Sequence, residues 1–227
     1  MYNLFKMRKN YFLTTTMSVL TALSTGYGDE SAEDIDPILK YYVSHADSAY
    51  TKSILTNNPV RFSFEAFTYY KVLGRGGAVE KIDSSATRYF LNGTNIDSSK
   101  IIFENERKTP VITLEFPNIF AKDFEHGFFP NDVGGQKLAI SFAPDVDSTD
   151  LPDGIAIVDR EEFKLMELYM YFPEPDGYKR LTRSFRFVDY SGYVFPDSIW
   201  EIGAKQGIFS VDFYRLETKI DKIQLLR

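Results

Sequence analysis

Chemistry near neutral pH would have to start from His45 or His126, the two side chains whose ordinary titration falls in that range. Neither stands in a metal-binding spacing such as H-E-x-x-H, and a histidine triad does not assemble from them. His126 lies in the run Asp123-Phe124-Glu125-His126-Gly127, where an acidic neighbour would tune it for acid–base hydrolysis. His45 falls on a helical pattern and reads as a surface or interfacial residue. Cysteine is absent, which removes thiol nucleophiles, disulfides, iron–sulfur ligation and thiolate zinc sites together. No motif implies a cofactor.

Other polar clusters have plainer explanations beside the functional ones. Asp145, Asp147, Asp150 and Asp153 crowd one stretch, and such a loop can gather oxygen ligands around calcium. The stretch lacks the sharp-turn glycine and the closing glutamate of an EF-hand, so a solvated acidic loop is the favoured reading of the run. Glu161 and Glu162 are adjacent, and adjacent strand residues face opposite ways, which excludes a glycosidase pair. Lys179, Arg180, Arg183 and Arg186 gather positive charge on one strand pattern, with Arg180 and Arg186 sharing a face. They suit an anionic head group or partner, yet guanidinium–carboxylate pairs with neighbouring strands explain them without a ligand. The stretch Phe128-Phe129-Pro130-Asn131-Asp132-Val133-Gly134-Gly135 reads as a hairpin or as a flap over a bound molecule. Its glycine pair does not open a helix, so it lacks the context of a phosphate loop.

Positioning falls to a β-rich framework. Aromatic residues make up 16% of the chain and hydrophobic residues 44%, which excludes global disorder and favours pleated, half-buried surfaces. A formal charge of −6 without a dense Lys/Arg stripe disfavours nucleic acid as a partner. Lys6, Arg8 and Lys9 precede the charge-free stretch Tyr11 to Thr25, and Ala22-Leu23-Ser24 has the small residues a signal peptidase requires. Residues 1–24 are therefore expected to be a signal peptide, with Met7 as an alternative start. Residues 25–35 are expected to be a linker and 36–227 one β-rich domain, periplasmic or secreted. Without a cysteine after the leader no lipid anchor is expected, and the hydroxyl-rich apolar run is expected to be too short for a stable membrane span.

Asp36 and Pro37 open a helix predicted over about 37–55, with Ile38, Tyr41, Tyr42, Ala46, Ala49 and Tyr50 at helical spacing. Beyond Pro59 the period becomes two, with Val60, Phe62, Phe64 and Ala66 on one face and Arg61, Ser63 and Glu65 on the other. Further strands are predicted at 78–83, 86–91, 100–104, 110–116, 137–142, 155–159, 163–172, 179–190, 193–195 and 207–217. Asn92-Gly93, Pro130-Asn131-Asp132, Asp153-Gly154, Asp176-Gly177 and Ser191-Gly192 are reversal signals, so neighbouring strands should pair antiparallel.

The segment 163–172 is the most informative. Met166, Leu168, Met170 and Phe172 fall on one face, and Phe163, Leu165, Tyr169 and Tyr171 fall on the other with Glu167. Both faces are apolar, so this strand is expected to be covered on both sides, by the core and by the helix or a ligand. The expected lining of a ligand site is Met166, Leu168, Met170, Phe172, Phe185 and Phe187, with the alternative that all six are plain core.

The segments Leu165 to Phe172, Lys179 to Asp189, Ser191 to Ile199 and Ile208 to Ile223 resemble the final hairpins of the LolA-like superfamily, periplasmic carriers and sorting factors of lipoproteins. The resemblance implies a curved antiparallel sheet or half barrel packed on a helix, with an aromatic and Met-lined cavity suited to acyl chains. The expected function is an extracytoplasmic carrier or binding module for an apolar ligand or a lipid-modified protein. The alternatives are an envelope interaction module without a small ligand, and a hydrolase using His126.

Overall fold

The computed structural model describes residues 36–53, 60–105, 114, 116–129, 134–145, 151–173, 175, 177–207 and 210–226. The expected leader and linker, Asp147 and Asp150 of the acidic loop, and the Pro130-Asn131-Asp132 turn lie outside the described residues. Helix α1 spans Pro37–Ser53. Asp36 caps it by accepting the Ile38 N–H at 2.8 Å, satisfying one of the unpaired amides of the first turn. Among the described residues, no helix is long and apolar enough to cross a membrane.

The strands are β1 (Arg61–Leu73), β2 (Val79–Asn92), β3 (Asn95–Glu104), β4 (Phe124–Phe128) and β5 (Lys137–Pro144), then β6 (Asp153–Asp159), β7 (Leu165–Phe172), β8 (Tyr178–Tyr190), β9 (Tyr193–Gln206) and β10 (Val211–Leu225). They form one sheet in the order β3-β2-β1-β10-β9-β8-β7-β6-β5-β4. Each neighbouring pair is antiparallel. The fold is the expected one, mainly β with an N-terminal helix: a curved antiparallel sheet, open between its edge strands β3 and β4. The meander from β4 to β10 is local in sequence. The join of β10 to β1 is not, since Phe62 lies beside Leu225.

One face of the sheet carries the core, and α1 closes on it through Leu39, Ala46 and Tyr50. Phe62, Phe64, Leu91, Ile140, Phe142, Leu168 and Phe195 are fully or almost fully buried there. At about 1.5–3 kcal/mol per large side chain, this layer dominates the stability of the domain.

The ladder corrects several expectations. Segments 78–83 and 86–91 are one strand, β2, because β1 pairs with it along its whole length. The predicted strand 193–195 continues to Gln206. Pro196 is accommodated inside it at a register shift between Arg186 and Phe187, where a missing ladder N–H is tolerated. Asp153-Gly154 begins β6 and makes no reversal: a Cβ on Gly154 would stand 1.9 Å from the Tyr169 carbonyl oxygen, so glycine serves close strand approach. Within 110–116, Leu114 and Phe116 are described and belong to no strand, whereas Phe124–Phe128 is a strand not expected from the sequence. Ser63 and Glu65 are buried although they alternate with the apolar residues of β1. Hydrogen bonds from Lys222 and Arg88 hold the Glu65 carboxyl below its ordinary titration range.

Phe163 is not part of β7. It sits in the turn before that strand at a φ of 57°, and its ring packs on α1. Leu165 is also reassigned. Val158 pairs with Leu165 while Ile157 pairs with Glu167, so Met166 is the extra residue of a bulge. The bulge turns Leu165 onto the same face as Leu168 and Met170, and all three lie in the core.

Candidate functional site

The inner face can be followed in rows across the ladder, because paired residues of neighbouring strands share a face. One row runs Ile140, Ala156, Leu168, Phe185, Ile199, Thr218, Thr68 and Ser85. Its neighbour runs Phe142, Gly154, Met170, Arg183, Glu201, Leu216, Tyr70 and Asp83. The first row begins apolar at β5 and becomes polar from β10 to β2, whereas the second places its ion pair, Arg183 and Glu201, in the middle with Leu216 and Tyr70 beyond. The buried Thr68 and Thr218 hydroxyls meet at 3.0 Å. An amphiphile laid along such a surface finds hydrocarbon contacts at one end and hydrogen-bonding groups at the other.

Of the residues expected to line a site, Leu168, Met170, Phe185 and Phe187 are buried in the core, and Phe172 packs against it. Met166, at the bulge, is partly buried. The two phenylalanines of β8 stack with ring centroids 6.1 Å apart. Phe116 stands edge-on over both, at 4.7 Å from Phe185 and 5.4 Å from Phe187. Together with buried Leu114, Ile119 and Phe120, it forms a second cover beside α1. The sequence assigned Phe116 to a strand, and nothing local in that run marks it as a cover.

The helix is attached to this cover by modest contacts. The Tyr50 hydroxyl donates to the Phe116 and Pro117 carbonyls at 3.5 and 3.4 Å, and burial pushes its titration upward. Asn118 donates to Asp47 at 2.8 Å. At the first turns of α1, Phe163 closes an aromatic cluster with Tyr41, Tyr42 and His45. The two long Tyr50 hydrogen bonds and the half-exposed ring cluster constrain α1 less than its core packing through Leu39, Ala46 and Tyr50 does.

The polar part of the second row is organised around Arg183. Its Nε donates to Glu201 at 2.7 Å, and its guanidinium lies 5.8 Å from the Phe172 ring centroid. Glu201 also accepts from the Tyr214 hydroxyl, whose titration is pushed upward by burial and by that carboxylate. The Tyr214 ring fits only because residue 203 opposite is glycine, where a Cβ would stand 2.4 Å from it. The four basic residues of this strand thus separate. Arg183 faces inward, whereas Arg186 faces outward and pairs with Asp197 at 2.6 Å, as the reading by ion pairs with neighbouring strands anticipated.

His126 lies on β4, and its Nε2 donates to the Ile119 carbonyl at 2.8 Å. Burial lowers its titration, so the ring is a neutral tie between β4 and the 114–120 cover. The expected acidic partner within its own run is replaced by Asp47 of α1, which acts on it through charge. Among the described residues no cluster of three or more His, Asp or Glu side chains could hold a metal ion.

No family model matches the sequence, and no curated protein matches it. The fold is similar to that of a LolA superfamily protein from Nitrosomonas europaea, with 9% identity over 83% of this chain and 94% of that one, at a TM-score of 0.37. It is also similar to an outer membrane lipoprotein-sorting protein domain from Vibrio parahaemolyticus, with 9% identity over 82% and 93% of the two chains and a TM-score of 0.43. A chain of the Pseudomonas aeruginosa MucA/MucB complex is similar at 9% identity over 84% and 99%, with a TM-score of 0.25.

Proposed function

We infer that the chain is an exported binding or carrier protein whose inner sheet face takes an apolar ligand or the acyl chains of a lipid-modified protein. The observation that carries this reading is the layer over Phe185 and Phe187. The sheet is open, and among the described residues its apolar face is closed by one helix and one short aromatic segment instead of by a second sheet. Displacing Phe116 uncovers Phe185 and Phe187 without breaking a strand pair, and Leu168 and Met170 adjoin them on the same face. A cargo replaces the contacts it removes, which keeps the exchange close to balance. The graded first row and the ion pair of the second favour an amphiphile with its tail along Leu168 and Phe185 and its polar end near Arg183 and Glu201. The N-terminal leader pattern supports action outside the cytoplasm, in the periplasm or beyond.

Native mass spectrometry of the protein purified from an envelope extract tests the reading, with lipid extraction of the same sample. A retained lipid or acylated peptide, reduced in the Phe185→Asp variant and preserved in Arg180→Gln on the outer face, is the expected outcome. Cargo-free protein that also fails to take up a fluorescent fatty acid would defeat it.

A further inference from the structure

The outer face of the sheet opposes α1, and the proposed cargo does not touch it. Three rows of that face cross β2, β1, β10, β9 and β8. They read Ser84, Tyr69, Glu217, Trp200, Ser184; then Ile82, Lys71, Arg215, Ile202, Thr182; then Val79, Leu73, Phe213, Ala204, Arg180. A solvated sheet face is ordinarily polar. Here Tyr69, Val79, Ile82, Ile202 and Phe213 are each between 38% and 58% exposed. Leu73 joins Val79 to Phe213 in the third row, and Lys71 and Arg215 stand between Ile82 and Ile202 in the second. Exposed apolar side chains scattered singly need no explanation, but a contiguous group on one face marks an interaction surface.

The charges on the same rows identify its partner. Lys71, Arg215 and Arg180 stand against a single carboxylate, Glu217, which Lys71 and Arg215 share at 2.8 and 2.9 Å. This excess of positive charge lies on a chain whose formal net charge is −6. Isologous pairing with a second copy would set cation against cation. A negatively charged surface with an apolar layer beneath it satisfies both features: rings and aliphatic chains enter the boundary while lysine and arginine reach the phosphates. Tyrosine and tryptophan are the aromatic residues that favour that boundary, and Tyr69 and Trp200 lie in the first row.

We propose that this outer face docks on an anionic phospholipid surface. It is a peripheral contact in the plane of the sheet, and it does not depend on the inner face holding a ligand. One marginal apolar patch gives reversible attachment, which the cations strengthen on anionic lipid and salt weakens.

Trp200 is the only tryptophan of the chain, so its fluorescence reports this patch alone. The full chain is mixed with phosphatidylcholine vesicles, with or without phosphatidylglycerol, and with versions brominated on the acyl chains. The expected result is a blue shift and bromine quenching on the phosphatidylglycerol vesicles, weaker on phosphatidylcholine alone and reduced at high salt. Ile202→Ser with Phe213→Ser, both exposed, should lower vesicle partitioning by roughly tenfold or more while leaving the thermal melt intact. The N-terminal apolar stretch is common to both proteins and carries no tryptophan, so it cannot produce the quenching. Unquenched Trp200 overturns the proposal, as does undiminished binding by the double variant. Self-association through this face without vesicle binding also overturns it. A cargo found on the inner face would survive each of these results.

Discussion

Replacing Phe163 with alanine should loosen α1 while leaving the sheet intact. The Phe163 ring lies 5.9 Å from Tyr41, 5.9 Å from Tyr42 and 4.8 Å from His45, centroid to centroid. Aromatic pairs contribute about 0.5–1.5 kcal/mol each, and the half-exposed setting places the three together near 1–2 kcal/mol. That energy acts on the opening of α1, because the cluster joins only the helix and the turn before β7. The equilibrium constant for opening should therefore rise about 5–30-fold. Native-state hydrogen exchange of α1 amides reads this directly, with β8 and β9 amides as the internal reference. A second variant separates the ring from the backbone. Phe163 holds a φ of 57°, which costs a non-glycine residue about 1–2 kcal/mol. Phe163→Gly loses the same ring contacts but relieves that strain, so it should lower global stability less than alanine while opening α1 as readily. Unchanged α1 exchange in Phe163→Ala would refute the reasoning, as would an equal loss of protection in β8 and β9. Either result would mean that the cluster is not what holds the helix.

Three further outcomes follow from the sheet. Gly154→Ala places a methyl group 1.9 Å from the Tyr169 carbonyl and 2.8 Å from the Phe142 ring; a loss of at least about 1–3 kcal/mol in urea unfolding is expected, and a neutral result would show that β6 and β7 approach less closely. Glu65 has its carboxyl titration lowered by hydrogen bonds from Lys222 and Arg88. Its contribution is therefore present above the carboxyl's unfolded pKa and lost as pH falls through the lower folded value. Glu65→Gln should melt well below the native protein at pH 7, and the gap should close in acid. Asp153 runs the other way: burial raises its titration, and its Oδ1 has no hydrogen-bond partner among the described residues. It costs stability above the raised folded value, so Asp153→Asn should raise the melting temperature at pH 8 and give no gain below the carboxylate range.

Much of the framework was legible in the chain itself, because its signals are local. The helix from Pro37 needs only a cap and a 3.6-residue period, and β1 and β8 need only alternation between reversals, whereas the strand expected over 207–217 runs on to Leu225. Asn92-Gly93 and Ser191-Gly192 mark true reversals through the positive φ their residues adopt at Gly93, Ser191 and Gly192. What the tertiary structure alone decided is which face each side chain serves. A bulge at Met166 reverses the parity of everything before it and brings Leu165 into the core, yet no residue type announces a bulge. The four basic residues around Arg183 look alike in sequence. Alternation sets Arg180 and Arg186 on one face, but which face is inner and which carboxylate each guanidinium meets, Glu201 or Asp197, was decided by β9. Phe116 and Phe163 find their partners across tens of residues, and distance along the chain carries no record of such contacts. Periodicity is a property of one strand, whereas a site belongs to a face, and a face exists only once the ladder has set its register.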